Sequence, residues 1–344
     1  MPTARSLYFE APGEVALRER PVPDPGPEEV RVRTRVSAVS AGTELLVYRG
    51  KVPRGLAVDD ALEAFDGETF TFPLKYGYAA VGRVTACGDD VDDAWRGRRV
   101  LAYNPHETHF TASPSSLVRI PEGLSDDAAA LLPTVETAAS LVLDTAPRLG
   151  ERVVVHGAGP VGLTTTGLLA EFPLDALAVV DPVGRRRDLA REFGADVAAP
   201  PADLDDVLAR HADADPDGMD AAVELSGDPT ALDDAVDAVG YDGRVVVGSW
   251  YGDAGARLSF DGHFHRDRIE VRSSQVSTLD PELRGRWTRD RRLSTAMDRL
   301  DALPLDGLVT HRVPFDEAPS AYRALDGESD DEEDSPVQVL LTYG

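Results

Sequence analysis

One cysteine, Cys87, stands among 344 residues, so an internal disulfide framework is excluded. Lysine is almost as scarce: Lys51 and Lys75 are the only two, and every other basic residue is arginine. There is no run of about 18 apolar residues that would cross a membrane, and Met1–Phe9 lacks the apolar core of a secretion signal. A cytoplasmic protein is the expectation. Positive charge is short as well, with 35 Lys plus Arg against 61 Asp plus Glu and a formal charge of -26. That balance argues against polyanionic partners, and the expectation is no nucleic acid and no membrane surface.

What is present argues against disorder. Apolar residues make up 42% of the chain and recur in strand-like and helix-like runs along nearly its whole length. Excess surface carboxylate with little lysine fits a salt-adapted, halophilic protein, because in about 1 M salt the Debye length falls to about 3 Å and like-charge repulsion is screened. The length is that of two domains.

From Arg5 to Arg35 short alternating strands are broken by Pro21, Pro23, Pro25 and Pro27, and strand signals continue at Val81–Val84 and Arg99–Leu101. Asp126 to Leu143 reads as helical, interrupted by Pro133. From Arg152 onward strands alternate with helices, at Arg152–His156, Leu177–Val180, Ala221–Leu225, Arg244–Ser249 and Ile269–Ser273. That rhythm predicts an α/β parallel sheet with crossover helices. After Arg284 a helix over Arg291–Leu300 and strands at Leu308–Phe315 and Val337–Leu341 leave the rhythm. The acidic run Asp326–Asp334 reads as a solvated loop.

Val153-Val154-Val155-His156 runs into Gly157-Ala158-Gly159-Pro160-Val161-Gly162 and then an apolar helix pattern. In that context Gly157 permits the tight turn, Gly159 lets the backbone approach a pyrophosphate, and Gly162 lets helix pack on strand, so Gly157 to Gly162 form a dinucleotide site. Asp181, at the end of the next strand, has the spacing of the acid that binds a ribose 2'-hydroxyl. Its charge favours NAD over NADP, while Arg185, Arg186 and Arg187 could neutralise a 2'-phosphate.

The whole chain resembles the medium-chain dehydrogenase/reductase family, the zinc alcohol dehydrogenase-like proteins. The matches are Glu14–Pro25, Gly42-Thr43-Glu44, Gly77–Gly82, the glycine fingerprint, Glu224-Leu225-Ser226-Gly227 and Thr310–Phe315. The resemblance implies a GroES-like β-rich catalytic domain formed by residues 1–141 and 285–344, interrupted by a Rossmann domain at 142–284. It places Ser226 and Gly227 with the cofactor and implies a homodimer paired through Rossmann edge strands. Val39–Glu44 and Tyr103–Phe110 look most like the branch that contains bacteriochlorophyllide dehydrogenase.

Zinc-using members of the family carry a cysteine before the Gly-Thr-Asp turn, where this chain has Ala41 with Ser40 beside it. The Gly-His-Glu segment of the second ligand is matched by Gly77-Tyr78-Ala79, and the third ligand falls near Pro133, with Glu136 three residues on. The lobe that binds structural zinc has no counterpart between Arg99 and Leu117. No zinc and no other metal site is expected. His106-Glu107-Thr108-His109 reads as a turn entering a strand, and His263 and His265 as part of a polar loop; His156 and His311 read as structural.

Without a Lewis acid, hydrogen-bond donors must stabilise the alkoxide that hydride transfer creates. Thr43 matches the hydroxyl that relays a proton in zinc-dependent relatives. Tyr78 is either a phenolic proton donor or a space-filling aromatic, and Glu136 either a base or a capping glutamate. The expectation is an NAD(P)-dependent oxidoreductase acting on a small-molecule secondary alcohol or ketone, with a quinone or enone reductase and a catalytically silent nucleotide-binding protein as alternatives. Salt adaptation predicts that the far-ultraviolet circular dichroism signal collapses on dialysis into low-salt buffer and returns in molar salt; an unchanged low-salt spectrum overturns it.

Overall fold

The computed structural model describes residues 3–53, 55–59, 62–209, 218–260, 262–327 and 336–344. The acidic run lies outside the described residues from 328 onward.

The strands are β1 Thr3–Ala11, β2 Glu14–Pro21, β3 Val30–Ala38, β4 Ala80–Cys87, β5 Arg99–Ala102, β6 His109–Ala112, β7 Leu117–Arg119, β8 Arg152–His156, β9 Ala176–Val180, β10 Val197–Ala199, β11 Met219–Glu224, β12 Val239–Val247, β13 Glu270–Ser273, β14 Val309–Pro314 and β15 Gln338–Thr342. The helices are α1 Ala41–Tyr48, α2 Asp126–Ala130, α3 Leu132–Thr145, α4 Pro160–Leu169, α5 Gly184–Glu192, α6 Leu204–Ala209, α7 Ala231–Ala238, α8 Gly262–Arg266, α9 Arg289–Arg299, α10 Leu305–Leu308 and α11 Ala318–Leu325.

Two compact units form, one from Met1–Pro133 with Val309–Gly344 and one from Thr134–Leu308. In the first, β1 and β2 make an antiparallel hairpin. The order β14-β15-β3-β4-β5-β7 makes a larger sheet in which β6 also pairs with β3. The chain's last strand enters this sheet antiparallel to β3. The core is rich in aromatic rings, with Phe9, Tyr48, Phe65, Phe70, Tyr76 and Tyr322 buried together.

The second unit is one parallel sheet in the order β10-β9-β8-β11-β12-β13. The adjacent strands β8 and β9 are buried along their whole length and carry the apolar runs Val153–Val155 and Ala176–Val180, as strands covered on both faces do. β8 and β11 are neighbours although β9 and β10 lie between them in sequence, so the strand order reverses there. A crevice at the carboxyl ends of the strands is the ordinary ligand site of such a sheet.

The expected helix over 126–143 is two helices, and Pro133 is the second residue of α3, where its missing N–H costs no hydrogen bond. The contact boundaries, 133/134 and 308/309, differ from the expected 141/142 and 284/285. The side-chain bonding of α3 and α9 agrees with these boundaries. Arg292 of α9, 2% exposed, donates from Nη2 to Glu136 Oε1 of α3 at 2.9 Å and from Nη1 to Ser140 Oγ at 2.8 Å. α3 and α9 thus share one buried polar centre inside the second unit.

Breaking a buried pair strands the remaining charge, so Arg292→Ala is expected to lower unfolding free energy by about 3 kcal/mol in denaturant titration. A loss below about 0.5 kcal/mol, as for a surface site, contradicts this.

Candidate active site

In the second unit β8 ends at His156 and the chain turns through Gly157, whose φ of 94° and close approach to Leu225 and Ser226 leave no room for a side chain. A Cβ on Gly162 would lie 1.9 Å from the Gly157 carbonyl oxygen, so this glycine permits α4 to start against the strand. A Cβ on Gly159, by contrast, would meet nothing within 4 Å, which leaves its side of the turn open to a ligand. Gly159 caps α4, Pro160 and Val161 open it, and the helix N-terminus faces the turn as an anion site requires.

Asp181 is 2% exposed. Its Oδ2 accepts the Ala158 N–H at 2.7 Å and its Oδ1 the Val183 N–H at 2.8 Å. The carboxylate therefore braces the glycine turn, and each oxygen keeps a second lone pair for a ribose hydroxyl. The arginines occupy the first turn of α5. Arg187 donates to the carbonyls of Asp181 and Pro182 at 2.8 and 2.7 Å, and Arg186 Nε is buried without a hydrogen-bond partner among the described residues.

Ser226 and Gly227 follow β11, beside the glycine turn. The buried Glu224 carboxylate accepts the Ser226 N–H at 2.7 Å and the Tyr251 hydroxyl, while Ser249 Oγ accepts the Gly227 N–H at 2.9 Å. These bonds lace the loops after β11 and β12. Sequence reasoning missed Glu224, Ser249 and Tyr251 as parts of the crevice. A carboxylate closing the apolar run Ala221-Ala222-Val223 was the available signal.

The first unit gathers hydroxyl groups at the start of α1. Tyr78 is half-buried; its hydroxyl donates to Ser40 Oγ and is also within hydrogen-bonding reach of Thr43. Burial pushes the Tyr78 phenol above its ordinary range; the Ser40 and Thr43 bonds oppose that rise, and the nearby Glu44 and Asp59 add to it. Ser40 is the partner that sequence reasoning did not assign.

Glu136 is buried in the second unit, where its carboxylate is ion-paired with Arg292. Lys75 lies 3.3 Å from the buried Glu107 carboxylate, an ion pair that accounts for it. His106 is fully buried between Ser37 and Glu44, and His263, on the short helix α8 and not in a loop, lies 2.6 Å from Asp267. Among the described residues no group of three or more His, Cys, Asp or Glu side chains is arranged to hold a metal. No described helix is long and apolar enough to cross a membrane.

The family model described as zinc-binding dehydrogenase matches residues 160–292. D-guloside 3-dehydrogenase of Escherichia coli K12 is 29% identical over 315 residues, covering 86% of this chain and 88% of its own. The chain is thus similar to medium-chain, zinc alcohol dehydrogenase-like proteins along most of its length. L-threonine 3-dehydrogenase of Xanthomonas campestris pv. campestris is 25% identical and is covered at 98%, with 97% of this chain. An alcohol dehydrogenase of Escherichia coli CFT073, solved with NADH, shares the fold with a TM-score of 0.79 at 20% identity, covering 99% of both chains. These likenesses support a dehydrogenase on the shared fold.

His156, buried at the end of β8, carries a testable consequence. Desolvation lowers its pKa from 6.5 to about 4. The unfolded chain binds this proton below about pH 6.5 and the folded chain does not, so the contribution is full above that pH and is lost as pH falls toward 4. About 3 kcal/mol is at stake. A His156→Leu protein should lose that part of the pH dependence of unfolding free energy between pH 6.5 and 4; an unaltered slope contradicts it.

Proposed function

We propose that the protein transfers hydride between NAD(H) and a secondary alcohol or its ketone, with hydroxyl groups and not zinc at the substrate oxygen. The observation that carries this reading is the Tyr78 hydroxyl set against Ser40 and Thr43. Where zinc-using relatives have a cysteine and a histidine the chain has Ala41 and Tyr78, and Glu136 is held by Arg292. That donor set does not fit tetrahedral zinc. The names of the relatives, dehydrogenases of a guloside and of threonine, support alcohol chemistry.

The glycine turn and helix N-terminus of the second unit fit a dinucleotide pyrophosphate, and Asp181 favours NAD over its phosphorylated form. Nicotinamide, when bound, supplies the hydride. As hydride adds to the carbonyl carbon, the C=O π pair moves to oxygen and the Tyr78 O–H supplies the proton that completes the alcohol. Burial raises the Tyr78 phenol above its ordinary range, so at neutral pH it carries the proton that it would give to the substrate oxygen. Thr43 and Ser40 orient the phenol and pass a proton back to it. A homodimer and a salt-rich cytoplasm complete the reading.

The test supplies 4-deuterated NADH with panels of ketones, enones and quinones. Label should enter a ketone, and Tyr78→Phe should lower kcat by about 10²-fold or more with the KM for NADH unchanged. Label entering only enones or quinones moves the protein to conjugate reduction. Stoichiometric zinc, removable with loss of activity, or full turnover by Tyr78→Phe, overturns the proposal.

A further inference from the structure

We infer that the buried Glu44–His106 pair is the positioning device of the candidate site, gripping the backbone on both sides of the hydrogen bond between Ser40 and Tyr78. The inference rests on the reading above, in which those hydroxyls handle the substrate oxygen.

On one side, Glu44 Oε1 accepts the Ser40 backbone N–H at 2.7 Å, which closes the first turn of α1 and sets where the Ser40 hydroxyl stands. On the other, the His106 imidazole lies on Gly77, the residue before Tyr78. Gly77 has a φ of 110°, and a Cβ there would come within 2.5 Å of His106 Cδ2 and Nε2. The His106 backbone is fixed independently, with its N–H 3.4 Å from the Tyr76 carbonyl and its carbonyl accepting from Leu7 at 2.9 Å.

The two grips are one unit because His106 Nε2 is 3.1 Å from Glu44 Oε2. Both residues are fully buried. An imidazole facing a carboxylate places its N–H toward it, and the rest of the network agrees with that orientation. With Nε2 donating, Nδ1 accepts from Ser37 Oγ at 2.7 Å, and Ser37 accepts from the Tyr343 hydroxyl at 2.8 Å. Tyr322 donates to the same Glu44 oxygen. Every donor in the series points toward Glu44, so removing the carboxylate unseats the imidazole as well as Ser40. Glu44 and His106 touch no reacting atom in this reading; they are positioning residues.

The experiment measures kcat with a ketone, NADH affinity and the solvent deuterium isotope effect in Glu44→Gln, His106→Asn and Gly77→Ala. Glutamine keeps an oxygen for the Ser40 N–H but faces His106 and Tyr322 with an amide NH₂, which cannot accept both bonds. Expected is a loss of kcat of about 10²-fold, the cost of misplacing a reacting group by about 1 Å. The solvent isotope effect should rise, and NADH affinity should stay within twofold. A merely structural role would lower the amount of folded protein without raising the isotope effect. Gly77→Ala keeps every polar side chain but crowds the imidazole and strains the backbone before Tyr78, so it tests the same grip from the other side if Glu44→Gln does not fold. Wild-type kcat and isotope effect in the folded variants, alongside a dead Tyr78→Phe, overturn the inference and leave the reading standing. Full turnover in Tyr78→Phe fails the reading itself.

Discussion

A carboxyl group sealed from water must find in the protein the hydrogen bonds that water gave it, and that requirement shapes the functional ends of both units. Glu44, Glu107, Asp181 and Glu224 are each no more than 2% exposed. Asp181 and Glu224 collect their donors from loops, while Glu44 also reaches Tyr322 on α11 and Glu107 reaches Ser6 and Arg20 on β1 and β2. Glu44 takes Ser40 and His106, Asp181 takes Ala158 and Val183, and Glu224 takes Ser226 and Tyr251. Glu107 draws in Ser6, Arg20 and Asn104 from three separate segments. Loops that apolar packing alone would leave loose are thereby given one position each.

The features legible in the sequence are those that a short stretch of backbone determines. Gly157 to Gly162 lie within six consecutive residues, and each glycine answers a local steric demand, so strand, turn and helix could be read together. Pro160 at the first turn of α4 belongs to the same kind of signal. The polar network around Glu44 was illegible for the converse reason. Tyr322 reaches Glu44 across 278 residues and Tyr343 reaches Ser37 across 306. No spacing rule connects such positions; only the return of the chain's last strand beside β3 does. The ion pair of Glu136 was illegible on the same ground, because its partner Arg292 lies 156 residues away. Tyr78 shows an intermediate case. Its two readings coexist, since the ring packs edge-on against Tyr76 at 6.1 Å while the hydroxyl bonds Ser40.

The near absence of lysine acquires a structural side. Arg99 reaches the Leu124 carbonyl and the Asp126 carboxylate together, and Arg244 spans the Thr145 carbonyl and both oxygens of Glu151. A planar guanidinium can join a carbonyl to a carboxylate in one fixed geometry, whereas an ammonium is a point charge on a flexible stem. In a chain with so many more acids than bases, each base that bonds two partners fastens more of the fold. The bias toward arginine therefore serves the interior connections as well as the surface.

The two units differ in how they hold what they act on. In the second, the dinucleotide signal is carried by backbone: open glycines, amide N–H groups and a helix N-terminus. Such a grip demands glycine at Gly157 and Gly162 and tolerates little else. In the first, Glu44 grips Ser40 by its backbone N–H, and His106 rests on the backbone of Gly77, so neither hold depends on the side chains at positions 40 and 78. A frame that fixes main chain can present different chemistry at the same two points without refolding. Zinc-using members of the family need a thiolate and an imidazole close to these points; this chain presents hydroxyls there on the shared fold.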